Sequence, residues 1–378
     1  LESLESELII VDTGSTDNTV EIAKRYTDQV YFHEWTNDFG EMRNTVLEYA
    51  KGEWFFFLDG DEIIDDHADI LSFFTSQRHK KANAAFLLMK NITSQTDEDA
   101  YAYNYIVRLF RKNRSFRFEG AIHEQPIYKG PIAQIKASII HYGYLNDEPE
   151  LMEYKYRRNA ELLEKELEQD PENIYYWFQL SQTHAMYKQH QEGLKAIEKA
   201  YDVMITRGKS DYRMFVFISL AKSCCANKMY RKAIEICDQA CAFREGYFDL
   251  YYYRGVSCLN LGNYEDALSS FLQYLEAVEK FNRGEGLVDL SITYGTPAFY
   301  ENVLQYICVI YKRQEQYDLA LEYAERITDK EIYQGVIPLV VEIYRERESF
   351  AELKSLCQNK VAEFPELRDS FLSAFEQQ

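Results

Sequence analysis

WFFFLDGDEII, Trp54 to Ile64, decides how the rest of the chain is read. Trp54 to Leu58 are apolar without a break, which predicts a strand buried on both faces, the habit of a covered parallel strand. The run stops at Asp59-Gly60-Asp61-Glu62. Ligands of an open α/β sheet bind beyond the carboxyl ends of its strands, so these acids stand where a ligand crevice forms. Two carboxylates at i and i+2, around a glycine that lets the backbone turn sharply, suit a hard divalent cation that keeps open positions for phosphate oxygens. The same residues also suit a plain acidic turn, since such tripeptides are common.

Leu1 to Glu7 reads as the end of a helix and Leu8 to Val11 as another short buried strand. That strand enters DTGSTDNT, residues 12 to 19, where Asp12 ends the strand, Gly14 permits a turn and Asp17 can cap a helix starting near Thr19. A strand, a glycine-bearing turn and a helix N-terminus make a nucleotide site, and equally a capped loop that binds nothing. Gln29 to Glu34 reads as a strand, and Asp38 to Ala50 as a helix capped by Asn37 or Asp38. Arg43 on that helix can reach a phosphate or ribose, or lie solvated on its surface. Ala84 to Asn91 and Tyr101 to Arg111 alternate as strands with a polar turn at Glu98 to Ala100. FRFEGAIHEQP, 116 to 126, carries His123 and Glu124, and a further strand ends at His141. This alternation predicts a twisted, mostly parallel sheet with its loops at one rim.

A net charge of -20 over 378 residues repels polyanions, which argues against nucleic acid or an anionic membrane as partner. An anionic nucleotide needs a bound cation or a local arginine in such a field. The seven cysteines all lie between Cys224 and Cys357 without C-x-x-C spacing, which predicts free thiols in a reducing, cytoplasmic setting. No apolar run reaches the length of a membrane span. No signal peptide is visible, although the first residue is Leu1 rather than Met.

Glu148 to Gln169 reads as a polar helix bridging two domains, and it stops at Asp170-Pro171. From Ile174 onward the tetratricopeptide pattern recurs. Trp177, Leu180, Ser181, His184, Gly193, Ile197 and Ala200 are matched by Phe217, Leu220, Ala221, Cys224, Ala233, Cys237 and Ala240, then by Tyr251, Gly255, Cys258, Ala267 and Phe271. Looser copies follow around Ile307, Cys308, Tyr311, Ala320 and Ala324, and around Val341, Tyr344, Leu353 and Cys357. The loop FNRGEGLVDLSITYGTP lengthens the third copy. A stack of such repeats offers a concave surface for a peptide, and 31 tyrosines suit that use. Subunit pairing through the last repeats, giving a homodimer, and bracing of the catalytic domain stand beside it.

VDTGSTDNT, NDFGEMRN and FFFLDGDE, in this order, resemble glycosyltransferase family 2, the inverting transferases with a GT-A fold. RLFR, the F-x-G-x-x-H-E-like segment and H-x-G-Y at His141 resemble the subgroup that carries tandem helical repeats. The resemblance implies an α/β GT-A domain over residues 1–147, its first strand and helix lying ahead of Leu1. A linker helix over 148–172 and an all-α tetratricopeptide-like domain over 173–378 would follow. It places Asp12 on the nucleotide base, with Gly14 and Asp17 in the same loop, Asp59 and Gly60 on the nucleotide sugar beside Arg43, and Asp61, Asp59 and His141 around Mn2+ or Mg2+. Glu124 is the first choice as general base, His123 the second and Glu119 a third. The implied activity is metal-dependent transfer of a hexose, glucose first, from a UDP-sugar to a polypeptide cysteine or serine. Bacterial S-glycosyltransferases of glycosylated bacteriocin peptides are similar. A cell-surface glycan as acceptor, or a non-catalytic peptide-binding scaffold on a relict transferase, are the other readings.

Overall fold

The structure, a computed structural model, describes residues 4–92, 94, 101–143 and 149–376. The N-terminal part contains β1 (Ile10–Asp12), α1 (Thr19–Ala23), β2 (Val30–Phe32), α2 (Phe39–Tyr49), β3 (Trp54–Phe56), β4 (Glu62–Asp66), α3 (Ala68–Thr75), β5 (Ala84–Ile92), β6 (Tyr101–Arg111), β7 (Arg117–Glu119), β8 (Gln125–Ile127) and β9 (Ile132–His141). The helices α4 (Pro149–Gln169), α5 (Ile174–Met186), α6 (His190–Arg207), α7 (Met214–Ala226), α8 (Tyr230–Phe243), α9 (Phe248–Asn260) and α10 (Tyr264–Asn282) follow. After β10 (Thr293–Tyr294) come α11 (Tyr300–Arg313), α12 (Tyr317–Glu325), α13 (Lys330–Glu346), α14 (Phe350–Glu363) and α15 (Arg368–Glu376).

Of the apolar run, Trp54–Phe56 form a strand covered on both faces, whereas Leu58 at its end is exposed. Trp54 and Phe56 pack with Ile70, Phe73 and Leu87 on one side, while Phe55 and Phe57 pack with Leu47, Phe110 and Phe116 on the other. Its direction differs from the expectation: β3 pairs antiparallel with β6, Trp54 opposite Arg111. The main sheet runs β10-β6-β5-β9-β4 with β3 also on β6, and its parallel pair is β5 with β9. A continuous apolar run reports only that two faces are covered; here α3 and α2 cover them, whatever the strand direction. The expected mostly parallel sheet is therefore a mixed one. A separate parallel pair, β1 with β2, holds Asp12 opposite Phe32.

The first residues also differ from their reading. The described residues 4–9 are not helical, and Leu8 is half exposed, so the strand is Ile10–Asp12 alone. Glu7 instead caps the approach to β3, its Oε1 accepting the Lys51 and Gly52 amides at 2.5 and 3.0 Å. The turn expected at Glu98 to Ala100 lies outside the described residues.

Two compact units are present, Leu1–Ser223 with Val288–Tyr294, and Cys224–Leu287 with Gly295–Gln378. The divide falls within α7, not at the bridging helix α4. Ile122, from the loop between β7 and β8, is buried among Ala160, Leu163, Leu180 and Ala196, so α4, α5 and α6 share a core with the sheet domain. The insertion before α11 returns to the same unit, where β10 adds to the edge of β6.

The repeats show one recurring closure. In five successive helix-turn-helix units a residue with left-handed φ sits in the turn: Lys188, Lys228, Gly262, Glu315 and Glu348. The following amide returns to the carbonyl five residues back, from Gln189 to His184, Met229 to Cys224, Asn263 to Cys258, Gln316 to Tyr311 and Ser349 to Tyr344. These are Schellman bonds, and their acceptors occupy equivalent repeat positions. Gly255 lets α9 approach α10, because a Cβ there would sit 2.5 Å from the Phe271 ring. Gly255→Ala is therefore expected to destabilise the second unit by about 1–3 kcal/mol despite alanine's better helix propensity. Urea unfolding measures it; an unchanged or raised midpoint would contradict the packing described.

Candidate active site

The turn Asp59-Gly60-Asp61-Glu62 builds the site. Glu62 N–H donates to the Asp59 carbonyl at 3.1 Å, and Asp59 N–H donates to Glu62 Oε2 at 3.1 Å, closing the turn. The chain then enters β4, antiparallel to β9 with Glu62 opposite His141. That register brings Asp61 Oδ1 to 3.6 Å from His141 Nε2, while Tyr142 N–H donates to the Asp61 carbonyl at 2.9 Å. Gly143 leaves the space around them open, since a Cβ there would collide with both Asp61 Oδ2 and His141 Nε2.

A carboxylate oxygen and an imidazole nitrogen converging across a space that only glycine leaves free fit a divalent cation. The other ring nitrogen, Nδ1, is 2.9 Å from Asn91 Oδ1, as a ligating histidine requires. Among the described residues no third His, Cys, Asp or Glu joins them as a ligand set. Of the expected trio, Asp61 and His141 stand together, and Asp59 faces arginines instead.

Asp59 has a different neighbour. Its two oxygens face Arg43, Nη1 at 2.9 Å and Nη2 at 3.0 Å, and Arg108 Nη2 stands at 3.6 Å. Arg43 Nε bonds Glu124, and Arg108 bonds Glu62. Glu124, Arg43, Asp59, Arg108 and Glu62 therefore form one line of alternating charge. Phe57 serves both arginines, each guanidinium carbon lying 4.2 Å from its ring centre. Burial works against the Asp59 charge, but Arg43 outweighs it and the carboxyl titrates below its ordinary value. Burial pushes the Glu62 carboxyl up against the pull of Arg108. Arg43, expected on a phosphate or ribose, has its donors on two carboxylates.

The glycines of the two loops differ in need. Gly14 adopts φ +116°, a conformation that side chains disfavour. Gly60 takes no left-handed φ and a Cβ would meet nothing within 4 Å, so it supplies open space rather than a strained turn. Asp12 is buried, and its Oδ2 accepts the Gly14 and Ser15 amides at 3.1 and 3.2 Å. The Ser15 side chain first, and then these two amides, keep its carboxyl low against the effect of burial. Asp17 accepts from Thr19 N at 2.9 Å and so ties off the first amide of α1, whose N-cap is Asn18.

Glu124 and His123 lie on the loop between β7 and β8. Asn44 anchors that loop by donating to the Phe118 carbonyl at 2.9 Å and accepting its amide at 2.8 Å. A groove of about 410 Å³, lined by Asp38, Glu41, Asn44, Phe118 and Gly120, runs beside it. His123 is in left-handed conformation with Nε2 buried and unpartnered, and burial, then Arg158, lowers its pKa to about 4. Glu119 is at the surface on Arg117. Sequence reasoning gave no role to Arg108, Phe57, Gly143 or Asn91. Arg108, Phe57 and Gly143 fall within the RLFR, FFFLDGDE and H-x-G-Y segments, whereas nothing in the pattern marks Asn91.

Residues 2–139 match glycosyl transferase family 2. The SPbeta prophage-derived glycosyltransferase SunS of Bacillus subtilis is 28% identical over 207 residues, 52% of this chain and 47% of that protein, so the chain spans about half the length of the curated relative. A TPR repeat-containing protein of Synechococcus elongatus is 32% identical over 118 residues, 31% of this chain and 28% of that one. Among solved structures, YrrB, described as a TPR protein with an unusual peptide-binding site, superposes with a TM-score of 0.44 at 14% identity, covering 57% of this chain and 99% of that chain.

The depressed His123 pKa has a consequence for stability. Between its folded value of about 4 and the ordinary 6.5, an unfolded chain takes up a proton that the native ring refuses. Its contribution is therefore complete above about pH 6.5 and is lost as pH falls toward 4, by about 2–3 kcal/mol. His123→Asn keeps a residue that tolerates left-handed φ and should flatten that part of the urea-midpoint profile. Parallel profiles for the two proteins would contradict the buried neutral ring.

Proposed function

We propose, from a glycosyl transferase family 2 domain over residues 2–139, that this chain moves a hexose, glucose first, from a UDP-sugar to a polypeptide with inversion at the anomeric carbon. The observation that carries the reading is the seat Gly143 leaves between Asp61 and His141 at the sheet rim. A divalent cation such as Mn2+ or Mg2+ held there would offset the charge of the departing diphosphate. Asp59 is fixed by Arg43, yet each carboxylate oxygen has a second lone pair with which to accept a ribose hydroxyl. Asp12, set by its own loop, can receive the N–H of the base in the same way.

Glu124 is the residue to take the acceptor's proton. Arg43 fixes its orientation, and the loop that carries it borders an open groove. His123, with Nε2 buried and a pKa of about 4, is poorly placed for that work. A cysteine thiol asks least of such a base, since a pKa of about 8.5 leaves part of it ionised at neutral pH. We therefore favour cysteine over serine as the acceptor. The free cysteines of the chain suit a reducing, cytoplasmic setting, and no helix among the described residues is long and apolar enough to cross a membrane. The helical repeats are proposed to hold the acceptor peptide.

UDP titration with Mn2+ and with chelator tests the cation seat. Wild type should bind UDP at least about tenfold more tightly with Mn2+, and Asp61→Ala and Gly143→Ala should lose that gain while remaining folded. Equal UDP affinity with and without Mn2+ in the wild type would contradict the assignment. Mass spectrometry of cysteine and serine peptides incubated with UDP-glucose then reads the acceptor.

A further inference from the structure

We propose that Asn91 and Asn104 form an amide relay that fixes the tautomer of His141, so that its Nε2 lone pair faces Asp61. The inference rests on the reading of Asp61 and His141 as a cation seat, and it assigns positioning roles to two residues outside it. Strand register brings them together. β5 runs parallel to β9 with Asn91 opposite His141, and antiparallel to β6 with Asn91 opposite Ala102. Asn104, two residues along β6, is the diagonal neighbour on the same face.

The hydrogen bonds determine which way the buried Asn91 amide points. Its Nδ2 donates to Asn104 Oδ1 at 2.7 Å and, more weakly, to the Ala102 carbonyl at 3.4 Å. A backbone carbonyl can only accept, so the NH2 end lies on that side and Oδ1 faces His141 Nδ1 at 2.9 Å. An amide oxygen can only accept as well. Nδ1 must therefore carry a ring proton, so that in the neutral ring the lone pair falls on Nε2, the nitrogen 3.6 Å from Asp61 Oδ1. Asn104 is itself fixed at the main chain, where Thr293 of β10 pairs with it. The insertion that interrupts the repeats thus braces the far end of the relay. Histidines that hold metals use such a partner on the second nitrogen, and its loss costs about 10–100-fold in metal affinity.

The test reads the ring before any metal is added. Imidazole 15N spectra of the metal-free full chain, with His141 assigned through His141→Gln, should show the Nδ1–H tautomer. Asn91→Leu, similar in size but without an acceptor, should lose that preference, and Asn91→Asp, which keeps an oxygen toward Nδ1, should retain it. A purely structural amide would leave the tautomer unmoved in both variants. Mn2+ titration in the presence of UDP should then weaken by about 10–100-fold in Asn91→Leu and by less than about threefold in Asn91→Asp. A wild-type His141 protonated at Nε2, or an unchanged tautomer in Asn91→Leu, overturns the relay. A wild-type chain with the expected tautomer that binds no Mn2+ overturns the cation seat and leaves the relay standing.

Discussion

The guanidinium of Arg43 joins three parts of the chain that sequence keeps apart. From α2 it reaches Asp59 at the end of the β3 run and Glu124 on the loop between β7 and β8. Arginine suits this position because its planar fork meets a carboxylate with two parallel bonds and still presents Nε to a second one. Burying a cation is costly unless it is paired, and here Asp59 and Glu124 pair it while Phe57 covers one face. Arg108 repeats the arrangement from β6 with Glu62. The separation between the acid proposed for the donor and the acid proposed for the acceptor is set by the width of one side chain.

This line of charges leaves Asp61 out. Asp59 and Asp61 are two residues apart, yet one is neutralised by arginines and the other is half exposed beside His141. The contrast gives the two acids different work. A carboxylate held by a guanidinium is a fixed acceptor for hydroxyls, whereas one beside an imidazole nitrogen is available to a cation. Glu62 closes the turn that carries both through its amide and its side chain.

Much of this was legible in the sequence, for identifiable reasons. The apolar run at Trp54, the acids after it, the α2 helix with its Asp38 cap, and the repeat positions all follow from local pattern, and each is present. Strand direction was not legible, because Trp54 to Leu58 would read the same in either orientation. The pairing of Arg43 with Asp59 and Glu124 was not legible either, since it depends on Glu124 returning 81 positions later. Asn91 ends a strand as an ordinary polar residue, and only the register of β5 against β9 and β6 places it behind His141. The division within α7 was hidden for the same reason: Ile122 is an unremarkable apolar residue until α4, α5 and α6 close over it.

A crystal structure of the full chain with UDP and Mn2+ tests the central claim most directly. The cation should lie between Asp61 and His141 with the diphosphate on it, the ribose against Asp59, and Arg43 still bridging Asp59 and Glu124. A nucleotide bound elsewhere, or a cation held without Asp61 and His141, would contradict the site described.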